Sequence, residues 1–228
     1  MPDPPGAGLA ASCRGLNKDV FVNIVFDFGA VLFTWQPGTL LMQTFPQRVR
    51  TSDEAAQLAH QVFGHADWHD FDRGLLETDA VVARTAQRLD LPQQDLAALV
   101  QGIGERLTVM SESLAVLTQL HQRRLAGDGV SGLYFLSNMP VLYARYLEQH
   151  HPFLQWFDGG IFSGDVLQIK PDPAIYQLLQ SRYSLAPDQT VFIDDLKHNV
   201  TTAQSLGWHG IHFTSAQQLQ ADLAQLGL

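Results

Sequence analysis

The chain has 228 residues, 46% hydrophobic and 16% charged, which is enough apolar material for a core and too little charge for a disordered chain. Twenty-three acidic against fourteen basic residues give a formal charge of −9, which disfavours any function that neutralises a nucleic-acid backbone or an anionic membrane. Cys13 is the single cysteine, so an internal disulfide is excluded; no run of about eighteen apolar residues marks a membrane span, and a reducing cytoplasm is the expected compartment.

Residues 1–19 are rich in Pro, Gly and Ala and read as a flexible leader. Within them Leu9-Ala10-Ala11-Ser12-Cys13 lacks the preceding basic residue and the long apolar run of an export signal. Residues 22–28 form an almost unbroken apolar run around Asp27, the pattern of a strand buried on both faces of a parallel sheet. From 34 to 109 no such strand follows. Helix-like segments occupy 53–63, 78–89 and 93–107 instead, with Thr78 and Asp79 at the start of the second and Pro92 before the third. Leu114, Leu117 and Leu120 then mark a helix, 132–136 a strand ending at Ser137-Asn138, and 160–162 a short strand before Ser163-Gly164. Ile175, Leu178 and Leu179 follow the i, i+3, i+4 spacing of a helix with one apolar face. Residues 190–193 form a strand ending at Asp194-Asp195, 210–213 a last strand, and Leu219, Leu223 and Leu226 a terminal helix.

Strands alternating with helices predict an α/β fold, a Rossmann-like parallel sheet with right-handed crossovers. The interval that breaks the alternation predicts an inserted α-helical cap at 34–109, over a core made of 20–33 and 110–228. Ligands of such sheets bind outside the carboxyl ends of the strands. Asp27, Ser137, Asn138, Asp194 and Asp195, far apart in sequence, all fall at those ends and are expected to converge on one rim.

The run Phe26-Asp27-Phe28-Gly29-Ala30-Val31-Leu32, followed in order by Ser137-Asn138, Lys170-Pro171 and Asp194-Asp195, resembles the motif series of the haloacid dehalogenase superfamily, helical-cap subgroup. The resemblance spans about residues 22 to 214. It implies that Asp27 attacks a substrate phosphorus in line and forms an aspartyl-phosphate, which water then hydrolyses. Two anions must meet in that attack, and a hard cation with oxygen ligands neutralises both. The implied ion is Mg2+, held by Asp27, the backbone carbonyl of Gly29 and Asp195. The implied phosphate ligands are the Ser137 hydroxyl, the Asn138 amide at the start of a helix, and Lys170, whose compact charge also suits the transition state. Asp194 is expected to orient Lys170 or a metal-bound water, and Asn199 to hold the acidic loop. Phe71-Asp72-Arg73-Gly74 resembles the cap segment that reaches towards the substrate. Arg73 is a candidate contact for a substrate's polar end, with a surface ion pair as the alternative, while Trp35, Trp68 and Phe71 either pack the cap or line a pocket.

The sequence departs from the family pattern at Gly29, where most of its phosphatases carry a second aspartate that protonates the leaving oxygen. Relatives with an Asp-Xaa-Gly motif include a sugar-1-phosphate phosphatase. Three readings follow. The favoured one is a phosphatase of a small phosphorylated metabolite, such as a sugar phosphate, in which water or a cap residue replaces the missing acid. The second is a metal-independent 2-haloacid dehalogenase, for which Gly29 is harmless but the Asp194-Asp195 pair is unneeded. The third is a binding or regulatory protein that keeps the fold without turnover.

Overall fold

The computed structural model describes residues 22–228, so the expected leader at 1–19 lies outside the described residues. The chain runs β1 (Val22–Phe26), α1 (Pro37–Thr44), α2 (Ser52–Phe63), α3 (Ala66–Asp72), α4 (Thr78–Leu89), α5 (Gln93–Gln101), α6 (Ile103–Arg106) and α7 (Ser111–Ala126). It continues through β2 (Val130–Ser137), α8 (Val141–His150), β3 (Gly159–Phe162), α9 (Pro173–Tyr183), β4 (Thr190–Asp194), α10 (Lys197–Ser205), β5 (His209–His212) and α11 (Ala216–Gln225). The five strands pair in parallel in the order β3-β2-β1-β4-β5. Strand order therefore reverses direction between β1 and β4, and a crevice opens there at the strand ends.

Alternation along each strand divides the core between the two faces of the sheet. Ile24, Phe26, Val191 and Ile193 pack on one side with Leu117 and Leu120 of α7 and Leu219 and Leu223 of α11. Val25, Phe192 and Leu136 pack on the other with Ile175, Tyr176 and Leu179 of α9 and Ala203 of α10. A strand buried on both faces has no polar side to show, which is why β1 and β4 read as continuous apolar runs. Each large side chain hidden this way contributes about 1.5–3 kcal/mol of transfer free energy.

The interval between β1 and α7 is helical. Thr51 caps α2 in a reciprocal capping box with Glu54. The helix expected over 93–107 is instead two, α5 and α6, divided at Gly102, whose backbone N–H bonds back to Ala98 and Leu99 and closes the first helix. Leaving and returning chain segments lie side by side. The Thr34 N–H donates to the Thr108 carbonyl at 2.8 Å, their hydroxyl oxygens are 2.8 Å apart, and Phe33 bridges Val109. No helix among the described residues is long and apolar enough to cross a membrane.

Candidate active site

Asp27 follows the last residue of β1, and its N–H donates to the Ile193 carbonyl at 2.9 Å, which fixes it against β4 beside the crevice. The chain then turns sharply. The N–H groups of Val31, Leu32 and Phe33 converge on the Phe28 carbonyl, and Ala30 adopts the left-handed region at φ 55°, which its small side chain tolerates. Phe28 anchors the turn, fully buried among Phe33, Phe135, Phe157 and Phe162. Asp27 Oδ1 accepts from the Phe28 N–H at 2.7 Å.

Lys170 lies fully inside the protein and bridges two carboxylates, with Nζ 2.9 Å from Asp27 Oδ1 and 2.6 Å from Asp194 Oδ2. Its position is set by Asn138, whose Nδ2 donates to the Lys170 carbonyl at 3.0 Å while its Oδ1 accepts from the Lys170 N–H at 2.8 Å. The Asn138 side chain thus holds the lysine backbone. The residue does not start a helix either: α8 begins at Val141 behind Pro140, which has no N–H to donate, and the intervening Met139 N–H is bound by Ser163 Oγ. Ser137, at the end of β2, opens onto the same cavity as Asp27.

Asp194 is fully buried, and both its oxygens are occupied. Oδ2 receives Lys170, Oδ1 receives the Leu196 N–H at 2.8 Å, and the Asn199 amide donates to both, at 3.0 and 3.1 Å. It therefore ties Lys170, the Leu196 N–H and Asn199 together. Asp27, Gly29 and Asp195 line the cavity. Carboxylate oxygens of Asp27, Asp194 and Asp195 lie within 4.8 Å of one another. Burial pushes the Asp27 carboxyl up to about 7, against the pull of Lys170 and with the push of Asp194 and Asp195. Burial and then Asp194 push Asp195 up to about 6. Burial also opposes the Lys170 charge, but Asp194 and Asp27 outweigh it and hold the ammonium above the ordinary lysine value. Three carboxylates around one ammonium leave excess negative charge in a desolvated place, and oxygen donors of this kind fit a hard divalent cation.

The cavity is about 760 Å³, within the usual range for a small-molecule site. Core residues Asp27, Ser137, Lys170 and Asp195 supply its polar part, while Trp35, Phe63, Trp68, Ile103 and Leu107 bring apolar surface from the helical insertion. Trp35, Phe63, Trp68, Phe71 and Tyr143 form a row of edge-on aromatic contacts from the insertion to α8, with centroids 4.6–5.9 Å apart. Of the aromatics in question, Trp35 and Trp68 line the cavity, while Phe71 is buried and packs Trp68 to Tyr143. Arg73 also lines it while paired with Asp70 at 3.3 Å.

Ser163 and Tyr143 carry no functional signal in the sequence, and Asp72 carries one only as part of Phe71-Asp72-Arg73-Gly74. Ser163 Oγ donates to the Asp72 backbone carbonyl at 2.5 Å, joining α3 to the turn after β3. Gly74, at φ 78°, lies so close to Gly164 that a Cβ would meet its carbonyl oxygen at 2.5 Å. The glycine after Arg73 was the signal for this close approach.

A parallel sheet ordered 3-2-1-4-5, with this constellation at its switch point and a helical insertion beside it, is the fold of haloacid dehalogenase family enzymes. No family model matches the chain. A sesquiterpene phosphatase of Aspergillus oryzae is 28% identical over 206 residues, covering 90% of this chain and 96% of its own. Drimenol cyclase of Aspergillus calidoustus is 26% identical over 204 residues, 89% of this chain, which spans only 36% of that protein's length. A haloacid dehalogenase family enzyme from Bacteroides thetaiotaomicron, solved in complex with magnesium and inorganic phosphate, shares the fold with a TM-score of 0.65 at 16% identity, over 85% of this chain and 94% of its own.

Proposed function

We propose that the protein is a magnesium-dependent phosphatase that hydrolyses a phosphomonoester through an aspartyl-phosphate on Asp27. The observation that carries this reading is the Lys170 bridge between Asp27 and Asp194 with Asp195 alongside. That arrangement aims one carboxylate, supported by a fixed positive charge, into a cavity of small-molecule size. Asp27, the Gly29 carbonyl and Asp195 would hold the cation, which when bound draws phosphate and nucleophile together by neutralising their charges. The Ser137 hydroxyl and the Asn138 N–H are the proposed donors to phosphate oxygens, and Lys170 stabilises the charge that builds up on them in the transition state. Asp194, saturated by hydrogen bonds, keeps Lys170 in place.

Residues 34–109 are proposed to act as the cap, hung from the core by the paired Thr34 and Thr108 segments. Its aromatic and aliphatic lining favours a leaving alcohol with a hydrophobic skeleton over a sugar, a choice that accords with similarity to a sesquiterpene phosphatase. Arg73 would then meet a polar substituent or keep to Asp70. The dehalogenase alternative is weakened by the same carboxylates, since they repel a haloacid's own carboxylate.

The test compares phosphate release from a sesquiterpenyl monophosphate and from a hexose phosphate, with magnesium and with chelator, beside halide release from a 2-chloro acid. Magnesium-dependent release, faster with the terpenyl substrate and abolished in folded Asp27→Asn, is the expected outcome. Halide release without metal would transfer the site to the dehalogenase reading.

A further inference from the structure

The reaction proposed above needs a proton for the departing alkoxide, and Gly29 has no side chain to give it. The space beside Gly29 is open, with Trp35 Cβ the nearest atom a Cβ would meet, at 4.0 Å. The donor must therefore come from elsewhere on the cavity wall.

The titratable groups there can be taken in turn. Asp27, Lys170 and Asp195 belong to the nucleophile and cation site. Asp172 caps α9 by accepting from the Ala174 N–H. His60, His69 and His198 are exposed, and burial followed by Arg73 holds His69 below its ordinary value, which disfavours its imidazolium form. The Tyr143 hydroxyl is buried and donates to the Val100 carbonyl, with its acidity further suppressed. Asp72 remains. Its backbone is anchored to the core through Ser163, it lines the cavity, and among the described residues its carboxyl has neither a hydrogen-bond partner nor an ion pair.

Resting on the phosphatase reading, we infer that Asp72, at the C-terminal end of α3, is the acid–base residue of this site, standing in from the cap for the aspartate absent at position 29. The chemistry balances. As Asp27 Oδ forms its bond to phosphorus and the bond to the alkoxide oxygen breaks, that oxygen takes the Asp72 proton and leaves as alcohol. The Asp72 carboxylate then accepts a proton from the water whose oxygen attacks the aspartyl-phosphate. The bond between phosphorus and Asp27 breaks, and inorganic phosphate departs with Asp27 ionised and Asp72 protonated again. The Asp72 residue is half-buried, and burial pushes its carboxyl up to about 8, the direction that favours the protonated form the first step needs.

The test is the dependence of rate on leaving group. With magnesium present, wild-type protein and Asp72→Asn are compared on alkyl phosphates, whose leaving oxygen needs a proton, and on p-nitrophenyl phosphate, whose leaving group does not. The expected result is an alkyl rate lowered by roughly 10²–10³-fold in Asp72→Asn with the aryl rate within a few-fold of wild type. Equal losses on both substrates, or no loss on either, overturns the assignment. If the variant melts well below wild type, the decision passes to wild type alone: a shallow dependence of kcat/KM on leaving-group acidity is expected, and a steep one overturns the proposal. Failure of the phosphatase reading is distinguishable, because wild-type protein would then release no phosphate even from the aryl ester.

Discussion

Asn138 grips Lys170 by the backbone, donating to its carbonyl at 3.0 Å and accepting from its N–H at 2.8 Å, so that one side chain fixes where the lysine enters the site. Among the described residues the lysine ammonium, 2.9 Å from Asp27 and 2.6 Å from Asp194, is the cation paired with the nucleophile.

Asn138→Ala removes both bonds and leaves Lys170 free to shift. Phosphatase kcat is expected to fall about 10–100-fold, as when a residue that positions a site is lost, with KM little changed and the fold retained. Steady-state kinetics and near-UV circular dichroism check it. Unchanged kcat would mean that Asp194 alone fixes the lysine.

Asp195→Asn exchanges a charged oxygen ligand for a neutral one. The magnesium concentration for half-maximal activity is expected to rise at least about tenfold, since each carboxylate contributes strongly to binding a hard cation. Asp194→Asn should act differently, because Asp194 faces Lys170, Asn199 and the Leu196 N–H, and its loss should lower the melting temperature. Magnesium titration and thermal denaturation of both variants separate the two roles.

Asp72 sets a pH dependence of stability. Its carboxyl titrates at about 8 in the folded chain against an ordinary 3.8, so the folded state binds this proton more tightly than the unfolded one. Its contribution is therefore full below pH 3.8 and is lost as pH rises towards 8. From α8 the Tyr143 hydroxyl lies nearby, its acidity suppressed by burial; Asp70 on α3 pairs with Arg73, and His69 is exposed and held below its ordinary value by burial and Arg73. Asp72→Asn is expected to match wild-type stability near pH 4 and to exceed it at pH 8 by roughly 1 kcal/mol, because the amide carries no charge to desolvate and solvent reaches the half-buried carboxylate. Urea unfolding at the two pH values measures the difference.

Gly29→Asp puts a carboxyl two residues after the proposed nucleophile, the position that the motif resemblance marks for an acid. Gly29 avoids the left-handed backbone region and has open space beside it, so the substitution should fold. In the Asp72→Asn background it is expected to restore alkyl phosphate hydrolysis by about tenfold or more, an acid being supplied again, while adding little to the wild type. A double variant no faster than Asp72→Asn, yet folded and magnesium-binding, would place the carboxyl out of reach of the leaving oxygen.

Strands β1, β2 and β4 were legible because residues buried on both faces leave continuous apolar runs, and the residues ending those runs are the ones that meet at the crevice. The helix α4 was legible from its apolar spacing. Gly102 went unread as a break because one glycine in a helical pattern is ordinarily tolerated. Helices α1 and α3 are short, and the aromatic content of α3 follows the packing of Trp68 and Phe71 rather than a clear period. Asp72 was visible only as a member of a motif. Its environment is made by Ser163, ninety-one residues away, and by helices from both parts of the chain, and no local pattern encodes that.

The joint at Thr34 and Thr108 has a mechanical consequence. Two adjacent chain segments pinned to each other tie the helices they carry to the core along one edge, like the hinge side of a door. The latch of that door is the bond from Ser163 to Asp72, with Gly74 pressed against Gly164 beside it. On the cap reading, an opening that parts α3 from the turn after β3 would break this bond and draw Asp72 away from the nucleophile. On the acid–base role inferred for Asp72, its proton transfer would be coupled to that latch, because a phosphoryl group on Asp27 would meet its water-activating partner only with the latch made.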